Sequence, residues 1–220
     1  MAKEAIILCG GYSQRLKPHI EVSKPLLELK PGLTLVDYQI MWLKRHGFKR
    51  IVLAGREDSL TKLDVEYSIE TEKLGTGGAM KKAAEACREE YVYAMNVDDV
   101  LLGDYDPSQL VQHADKGGAI LIAKPRLQFG RVEIDNGFIT QFVQKPFLDF
   151  YVSAGHYAFK TNVIKQHFPD KGDFEKETSP TLASLRMLRG YQFDGLWVTI
   201  NTYKELLDVR NLLQQKSYLK

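Results

Sequence analysis

Cysteine is scarce in this sequence, and an apolar run of membrane-spanning length is missing from it. The 220 residues include two cysteines, Cys9 and Cys87, and neither lies in a CxxC motif or beside a group of histidines. Their spacing predicts neither a disulfide framework nor a zinc site, and two idle thiols suit a reducing compartment. The first residues lead directly into a strand-like segment, so we expect no signal peptide and no membrane partner. These features predict a cytoplasmic protein.

The chain also lacks a large excess of charge of either sign. The formal net charge of the whole chain is +2, so no overall electrostatic field attracts nucleic acid or an anionic membrane. We therefore expect no nucleic-acid partner, and any recognition of phosphate must be local. The length fits one α/β domain covering residues 1–220. The sequence leaves the oligomeric state open, and an oligomer is possible.

What is present is an alternation of strand-like and helix-like segments. Apolar patterning predicts strands at 5–8, 51–54, 65–69, 91–97, 119–123 and 154–159. Capping signals and periodicity predict helices at 34–46, 78–87, 107–114, 162–167, 178–188 and 203–215. This alternation predicts a Rossmann-like α/β fold, in which a mixed, mainly parallel sheet is flanked by helices. Asn136-Gly137 predicts a tight hairpin and thus an antiparallel elaboration in the second half.

The first strand-like run ends in a glycine-rich loop that suits phosphate. Gly10 and Gly11 follow the run directly, and Arg15 lies slightly further along. Ligands of open α/β sheets bind beyond the carboxyl ends of strands, glycines let backbone N–H groups approach phosphate, and arginine forks onto its oxygens. Lys24 offers a second cation. The loop is neither a Rossmann fingerprint nor a Walker loop, and a tight turn with a solvated arginine is the alternative.

The residue pattern around this loop resembles a known family. Residues 10–18 read Gly-Gly-x-Ser-x-Arg-Leu-x-Pro and residues 24–27 read Lys-Pro-Leu-Leu, which is similar to the signature of sugar-phosphate nucleotidyltransferases. The resemblance implies that the glycines wrap a triphosphate, that Arg15 contacts its β- and γ-phosphates, and that Lys24 neutralises charge near the reacting phosphate. Ile20 and Ser23 depart from the threonine and proline of the family pattern.

A second segment, residues 72–80, resembles the part of that family that holds the nucleobase and ribose. It reads Glu-Lys-Leu-Gly-Thr-Gly-Gly-Ala-Met, a glycine-rich turn that opens a helix whose N-terminus can face an anion or a base edge. The alternative is a helix entry without a ligand. Over residues 1–115, taken as the nucleotide-binding half, the resemblance implies this nucleotide-binding set: Leu8, Gly10, Gly11, Arg15, Lys24, Glu72, Gly75, Thr76, Gly77 and Gly78.

Two neighbouring carboxylates follow the strand-like run at 91–97. A carboxylate at that position can hold a magnesium ion, which also binds phosphate oxygens of the substrate. The family has Gly-Asp here, and either aspartate can be aligned with it. We assign the metal-ligand role to Asp98 rather than Asp99, so that the implied catalytic residues are Arg15, Lys24 and Asp98.

The second half, residues 116–220, resembles the sugar-binding half of the family. The implied sugar-phosphate-binding residues are Gly130, Gln144, Lys145, Ala154 and Gly155. Gln144 replaces the usual glutamate, and an amide can donate as well as accept hydrogen bonds, so the change can alter which sugar fits.

The second metal ligand of many relatives is missing, because Thr199 stands where they carry aspartate. Asn201 matches an asparagine used by uridylyltransferases of the aminosugar branch, and an amide oxygen is an acceptable ligand for a hard cation. The implied metal site is therefore Mg²⁺ on Asp98 and Asn201. The alternative is that Asn201 caps the last helix.

The reaction that the resemblance implies joins a nucleoside triphosphate to a sugar 1-phosphate and releases pyrophosphate. The alternatives are a molybdopterin guanylyltransferase-like enzyme, which shares the triphosphate loop, a glycosyltransferase that uses Asp98-Asp99 on a finished nucleotide sugar, and a non-catalytic sensor that binds nucleotide sugar.

Overall fold

The computed structural model describes residues 3–11 and 20–215. Its strands are β1 Glu4–Leu8, β2 Glu28–Lys30, β3 Leu33–Thr34, β4 Arg50–Gly55, β5 Glu66–Ile69, β6 Tyr91–Asn96, β7 Asp99–Leu102, β8 Gly118–Ala123, β9 Gly130–Asp135, β10 Phe138–Gln144, β11 Val152–Lys160, β12 Leu188–Gln192 and β13 Leu196–Thr199. Its α-helices are α1 Leu35–Arg45, α2 Gly75–Ala84, α3 Pro107–His113, α4 Thr161–His167, α5 Phe174–Ser184 and α6 Tyr203–Gln215.

One seven-stranded sheet organises the fold, with the strand order β12-β8-β11-β6-β1-β4-β5. β11 runs antiparallel to both of its neighbours, whereas the other pairs within the sheet are parallel. The predicted Rossmann-like α/β fold with a mixed, mainly parallel sheet is confirmed. Strands from both halves of the sequence share this sheet. Within the described residues, no helix combines the length and the apolarity that a membrane span requires.

The central strands are apolar on both faces because helices cover both. In β1, Ala5 and Ile7 belong to one core cluster, and Ile6 and Leu8 belong to the cluster on the opposite face. The first cluster takes in buried residues of α1, α3 and α6, and the second takes in those of α2, α4 and α5. This arrangement explains why β1 reads as a continuous apolar run rather than as an alternation.

Two helices, α2 and α5, begin and end several residues earlier than predicted. α2 begins at Gly75 rather than at residue 78, and α5 spans Phe174–Ser184 rather than residues 178–188. α5 ends early because Arg186 takes a positive φ of 55°, after which Leu188 pairs with Gly118 at the sheet edge. β12 was missed for that reason. β7 and β13, which pair with each other, are short strands that carry little periodicity of their own.

The hairpin of β9 and β10 is confirmed, and it stands apart from the main sheet. Asn136 and Gly137 have φ angles of 47° and 84°, the positive values that a tight two-residue turn requires. This is the antiparallel elaboration that the sequence predicts.

Candidate active site

The carboxyl ends of β1 and β6 and the start of α2 surround a cavity of about 260 Å³. This is the edge of a parallel sheet at which ligands bind. The predicted nucleotide-site and metal-site residues that line it are Leu8, Gly10, Gly11, Gly75, Thr76 and Asp98. Glu72, Gly77 and Gly78 are not among its lining residues, and Arg15 lies outside the described residues.

The glycines at the start of α2 are explained by packing. A Cβ atom on Gly77 would lie 2.8 Å from Pro169 Cγ, and one on Gly78 would lie 2.4 Å from the Asp170 carbonyl oxygen. Both glycines are buried. Their small size lets the segment that leads into α5 cross directly over the helix.

The N-terminus of α2 is occupied by the chain itself. The backbone N–H of Gly77 donates to the carbonyl of Gly172 at 2.9 Å, and that of Thr76 donates to Asp173 Oδ1 at 3.3 Å. The sequence predicted that this helix end could face a bound anion or a base edge. That role stays a prediction, and in this structure residues of the 172–173 segment accept these hydrogen bonds.

Glu70, which the sequence analysis missed, lines the cavity in which Glu72 was expected. Glu72 is exposed and pairs with Lys171, whereas Glu70 is 7% exposed and accepts a hydrogen bond from the Leu74 N–H at 3.1 Å. Glu70 directly follows β5. The rule that selected Gly10, that ligands bind beyond strand ends, was the available signal for Glu70.

The two neighbouring aspartates have different surroundings. Asp99 is 5% exposed and accepts hydrogen bonds from Asn96 Nδ2 at 2.9 Å and Trp197 Nε1 at 2.8 Å. Burial, together with the negative charge of Asp98, raises the pKa of Asp99 to about 7. Asp98 instead lines the cavity, where its side chain can meet a ligand.

Gly155 makes room for the buried carboxylate. Its φ is +72°, and a Cβ atom there would lie 1.8 Å from Asp99 Oδ2. No other residue type has both the conformational freedom and the missing side chain that this position requires. The structure thus places Gly155 beside Asp99.

Lys24, Asp98 and Asn201 meet at one point. The Lys24 ammonium donates to Asp98 Oδ2 and to Asn201 Oδ1 at 2.8 Å. Lys24 lies in the 3₁₀ turn at 24–26, Asp98 follows β6, and Asn201 precedes α6. Three distant parts of the sequence therefore converge here. The ammonium sits between the two oxygens to which the sequence assigned a metal ion.

The alternative role of Asn201, as a helix cap, is wrong. The Glu205 N–H at the start of α6 donates to Thr202 Oγ1 at 3.3 Å, and Glu205 Oε2 accepts from the N–H groups of Asn201 and Thr202, each at 2.8 Å. This reciprocal arrangement is a capping box. It leaves the side-chain oxygen of Asn201 to Lys24.

The backbone on either side of Asp98 is braced by buried side chains. Gln39 Nε2 donates to the carbonyls of Val97 at 3.1 Å and Asp99 at 2.9 Å. His156 Nε2 lies 3.1 Å from the same Asp99 carbonyl. Because a carbonyl can only accept, Nε2 of His156 carries the proton, and Nδ1 accepts from the Tyr93 hydroxyl at 2.7 Å.

A second cavity, of about 530 Å³, lies between the segments at 124–128 and 145–147 and the helix α6. Lys145, the predicted ligand of the sugar phosphate, lines it together with Lys124, Arg126, Trp197 and Thr199. Asn201 Nδ2 donates to Thr199 Oγ1 at 3.0 Å. A chain of hydrogen bonds from Asp98 through Lys24 and Asn201 to Thr199 therefore links the walls of the two cavities.

The remaining predicted sugar-site residues are not brought into this cavity. A Cβ atom on Gly130 would lie 2.4 Å from Phe142 Cζ, so Gly130 accommodates that ring. Gln144 is exposed, and Ala154 is wholly buried in the core. Their roles toward a sugar stay predictions.

The comparisons with known proteins agree with this fold. The family model described as Nucleotidyl transferase matches residues 4–216, so the chain belongs to the nucleotidyl transferase family. It is 32% identical to the mannose-1-phosphate guanylyltransferase catalytic subunit beta of Drosophila melanogaster over 226 residues, which cover 92% of this chain and 60% of that protein. The chain thus spans about three fifths of the length of that curated relative.

The chain is also similar to two further proteins. It is 29% identical to the mannose-1-phosphate guanyltransferase of Saccharomyces cerevisiae, covering 93% of this chain and 63% of that one. The crystal structure of HddC from Yersinia pseudotuberculosis complexed with GMP-PN superposes with a TM-score of 0.72 at 20% identity, covering 96% of this chain and 99% of that chain. At that identity the superposition shows the shared fold.

We predict that His156 makes stability depend on pH. Burial lowers the pKa of His156 from 6.5 to about 4, so the unfolded chain takes up a proton first as the pH falls. The stabilisation is present above pH 6.5 and is lost as the pH falls toward 4. Between pH 7.5 and pH 5 this histidine should remove about 2 kcal/mol from the free energy of unfolding, measured by urea denaturation.

The variant His156→Gln should lack this component of the pH dependence. His167→Gln, the same change at an exposed residue, is the matched control and should keep the wild-type profile. Equal pH dependence in His156→Gln and the wild type would contradict the assignment of a buried, neutral imidazole.

Proposed function

We propose that this protein joins a nucleoside triphosphate to a sugar 1-phosphate, giving a nucleoside diphosphate sugar and pyrophosphate. The observation that carries the proposal is the convergence of Lys24, Asp98 and Asn201 between two cavities. Gly10 and Gly11, which we infer approach a triphosphate, line one cavity, and Lys145, which we infer binds a sugar phosphate, lines the other. The membership in the nucleotidyl transferase family supports the same reaction.

A divalent metal fits this site, and we infer that it is Mg²⁺. Asp98 Oδ2 and Asn201 Oδ1 already converge on one cationic atom, and a carboxylate with an amide oxygen is a donor pair that suits a hard cation. When bound, Mg²⁺ would neutralise charge on phosphate oxygens and lower the barrier to their displacement. Asp98 and Asn201 would hold it.

The protein side chains need only position and neutralise the reactants. An oxygen of the sugar 1-phosphate attacks the α-phosphorus of the triphosphate, and pyrophosphate leaves. The nucleophile is already an anion, so no protein base is required. Lys24 would neutralise the reacting phosphate, Arg15 the leaving pyrophosphate, and Lys145 would orient the attacking phosphate.

We infer that the base is guanine. Both curated relatives named above are mannose-1-phosphate guanylyltransferases or guanyltransferases, and Glu70 supports the same base from the structure. Guanine presents N–H donors on its base-pairing edge, and a carboxylate only accepts hydrogen bonds. A buried Glu70 in the nucleotide cavity therefore suits guanine better than a base that presents acceptors. Mannose 1-phosphate is the corresponding sugar substrate.

The remaining inferences follow from the same group of observations. Cys9 and Cys87 are free and buried, which supports the cytoplasmic location. Both halves of the chain contribute strands to one sheet, which supports a single domain. The molybdopterin guanylyltransferase and the sensor are less well supported, because neither explains the cavity that contains Lys145 together with the similarity to enzymes of sugar-nucleotide synthesis.

The test of this function is pyrophosphate release with magnesium across a grid of nucleoside triphosphates and sugar 1-phosphates. We expect release that depends on one pair, GTP with mannose 1-phosphate. If no substrate pair releases pyrophosphate but calorimetry shows that nucleotide still binds, the result would favour the sensor. If no pair releases pyrophosphate and no nucleotide binds, the interpretation of residues 10–15 as a triphosphate loop would be refuted.

Asp98→Ala and Arg15→Ala should each lower kcat by about a hundredfold or more, since each removes a charge that stabilises the transition state. The fold should survive, which circular dichroism can check. Asp58→Ala removes a carboxylate from an exposed position and is the control, with near-normal turnover. Near-normal rates in both Asp98→Ala and Arg15→Ala would count against the mechanism.

Glu70→Gln should lower kcat/KM for GTP by about tenfold or more, because the amide repels one donor of guanine where the carboxylate accepts it. The loss should be much smaller for UTP, whose edge is complementary to an amide. Glu72→Gln is the matched control, the same change at an exposed residue outside the cavity. An equal loss for GTP and UTP in Glu70→Gln would show that Glu70 does not read the base.

A further inference from the structure

The contact of Lys24 with the Asp98–Asn201 pair is partly shielded from water. The side chains of Lys24 and Asp98 are 11% and 18% exposed, and the Lys24 ammonium contacts oxygens of both partners. Charge pairs in such surroundings are screened less than pairs at an open surface. The ammonium therefore holds the two oxygens more firmly than a surface lysine would.

The oxygen of Asn201 is oriented toward Lys24 by its own neighbours. Asn201 Nδ2 donates to Thr199 Oγ1 at 3.0 Å, which turns the amide so that Oδ1 faces the ammonium. Thr199 lies directly opposite Asp99 in the pair of strands β13 and β7. The Asn201 amide is thus held between the Thr199 hydroxyl and the Lys24 ammonium.

The protein offers a divalent cation few other ligands. Among the described residues, no group of three or more histidine, cysteine, aspartate or glutamate side chains could hold a metal. One carboxylate and one amide oxygen leave most of an octahedral shell to water and to substrate phosphates. An ammonium ion and a divalent cation cannot both contact the same two oxygens, because they repel each other at that distance.

We propose that Lys24 is a place-holding cation, which keeps the Asp98–Asn201 pair closed to free metal until a substrate phosphate draws its ammonium away. The inference rests on the proposed function, since it assigns the metal to the same pair. It adds an order of events: metal enters with the nucleotide, and Lys24 moves from the two oxygens onto phosphate. Free enzyme and free Mg²⁺ then form no stable complex.

The experiment is a titration of the nucleotide-free protein with Mn²⁺, a hard cation that reports its own binding by electron paramagnetic resonance. Wild type should bind Mn²⁺ weakly. Lys24→Met, which keeps the length of the side chain without its charge, should bind Mn²⁺ at least tenfold more tightly. Lys24→Ala is the second variant and should show the same gain, with circular dichroism as the check on folding.

Two controls separate competition for the oxygens from a general change of charge. Lys73→Met removes the same charge from the lining of the same cavity without touching the pair, and its Mn²⁺ affinity should stay within about threefold of wild type. Asn201→Leu combined with Lys24→Met should lose most of the gained affinity. An equal gain in Lys73→Met, or no gain in either folded Lys24 variant, would overturn the proposal.

The proposed function is tested separately, by measuring pyrophosphate release by the wild type. If the wild type turns over but the Lys24 variants gain no Mn²⁺ affinity, the proposed function stands and the place-holding role of Lys24 is refuted. A gain that needs Asn201, with no turnover for any substrate pair, supports the cation competition and rejects the function.

Discussion

The site depends on the hydrogen bonds that Asn96 and Trp197 donate to the buried carboxylate of Asp99. Removing a charge from water is costly unless donors surround it, and Asn96 and Trp197 supply those donors. Trp197 comes from β13, which pairs with β7, so the carboxylate ties the second half of the chain to the turn after β6. Gly155 leaves the space in which this carboxylate lies.

The same arrangement determines where Asp98 points. With the Asp99 carboxylate buried and the carbonyls on either side held by Gln39 and His156, the side chain of Asp98 is directed to the cavity. Thr199 pairs with Asp99 across β13 and β7, and its hydroxyl accepts a hydrogen bond from the Asn201 amide. Thr199, which departs from the aspartate of the family pattern, thus accepts the hydrogen bond that orients the Asn201 amide. Asp99, which is buried, and Asp98, which lines the cavity, are adjacent in sequence but have different surroundings.

The side of the smaller cavity that α2 forms is built by packing. The segment at 169–173 crosses over α2, and the absence of side chains at Gly77 and Gly78 allows this close approach. The hydrogen bonds from Gly77 to Gly172 and from Thr76 to Asp173 then complete the helix N-terminus. A glycine-rich motif that reads as a ligand contact serves here, in part, to let one segment of the protein lie against another.

The sequence by itself determined the fold class, the hairpin at Asn136-Gly137 and the strand ends that border the smaller cavity. These follow from local causes: apolar periodicity, the positive φ of turn residues and the position of Gly10 and Asp98 after strands. Only the tertiary structure separated Glu70 from Glu72 and identified Thr202 rather than Asn201 as the cap of α6. It also brought Lys24 to Asn201, because contacts between residues far apart in the chain leave no periodic trace in the sequence.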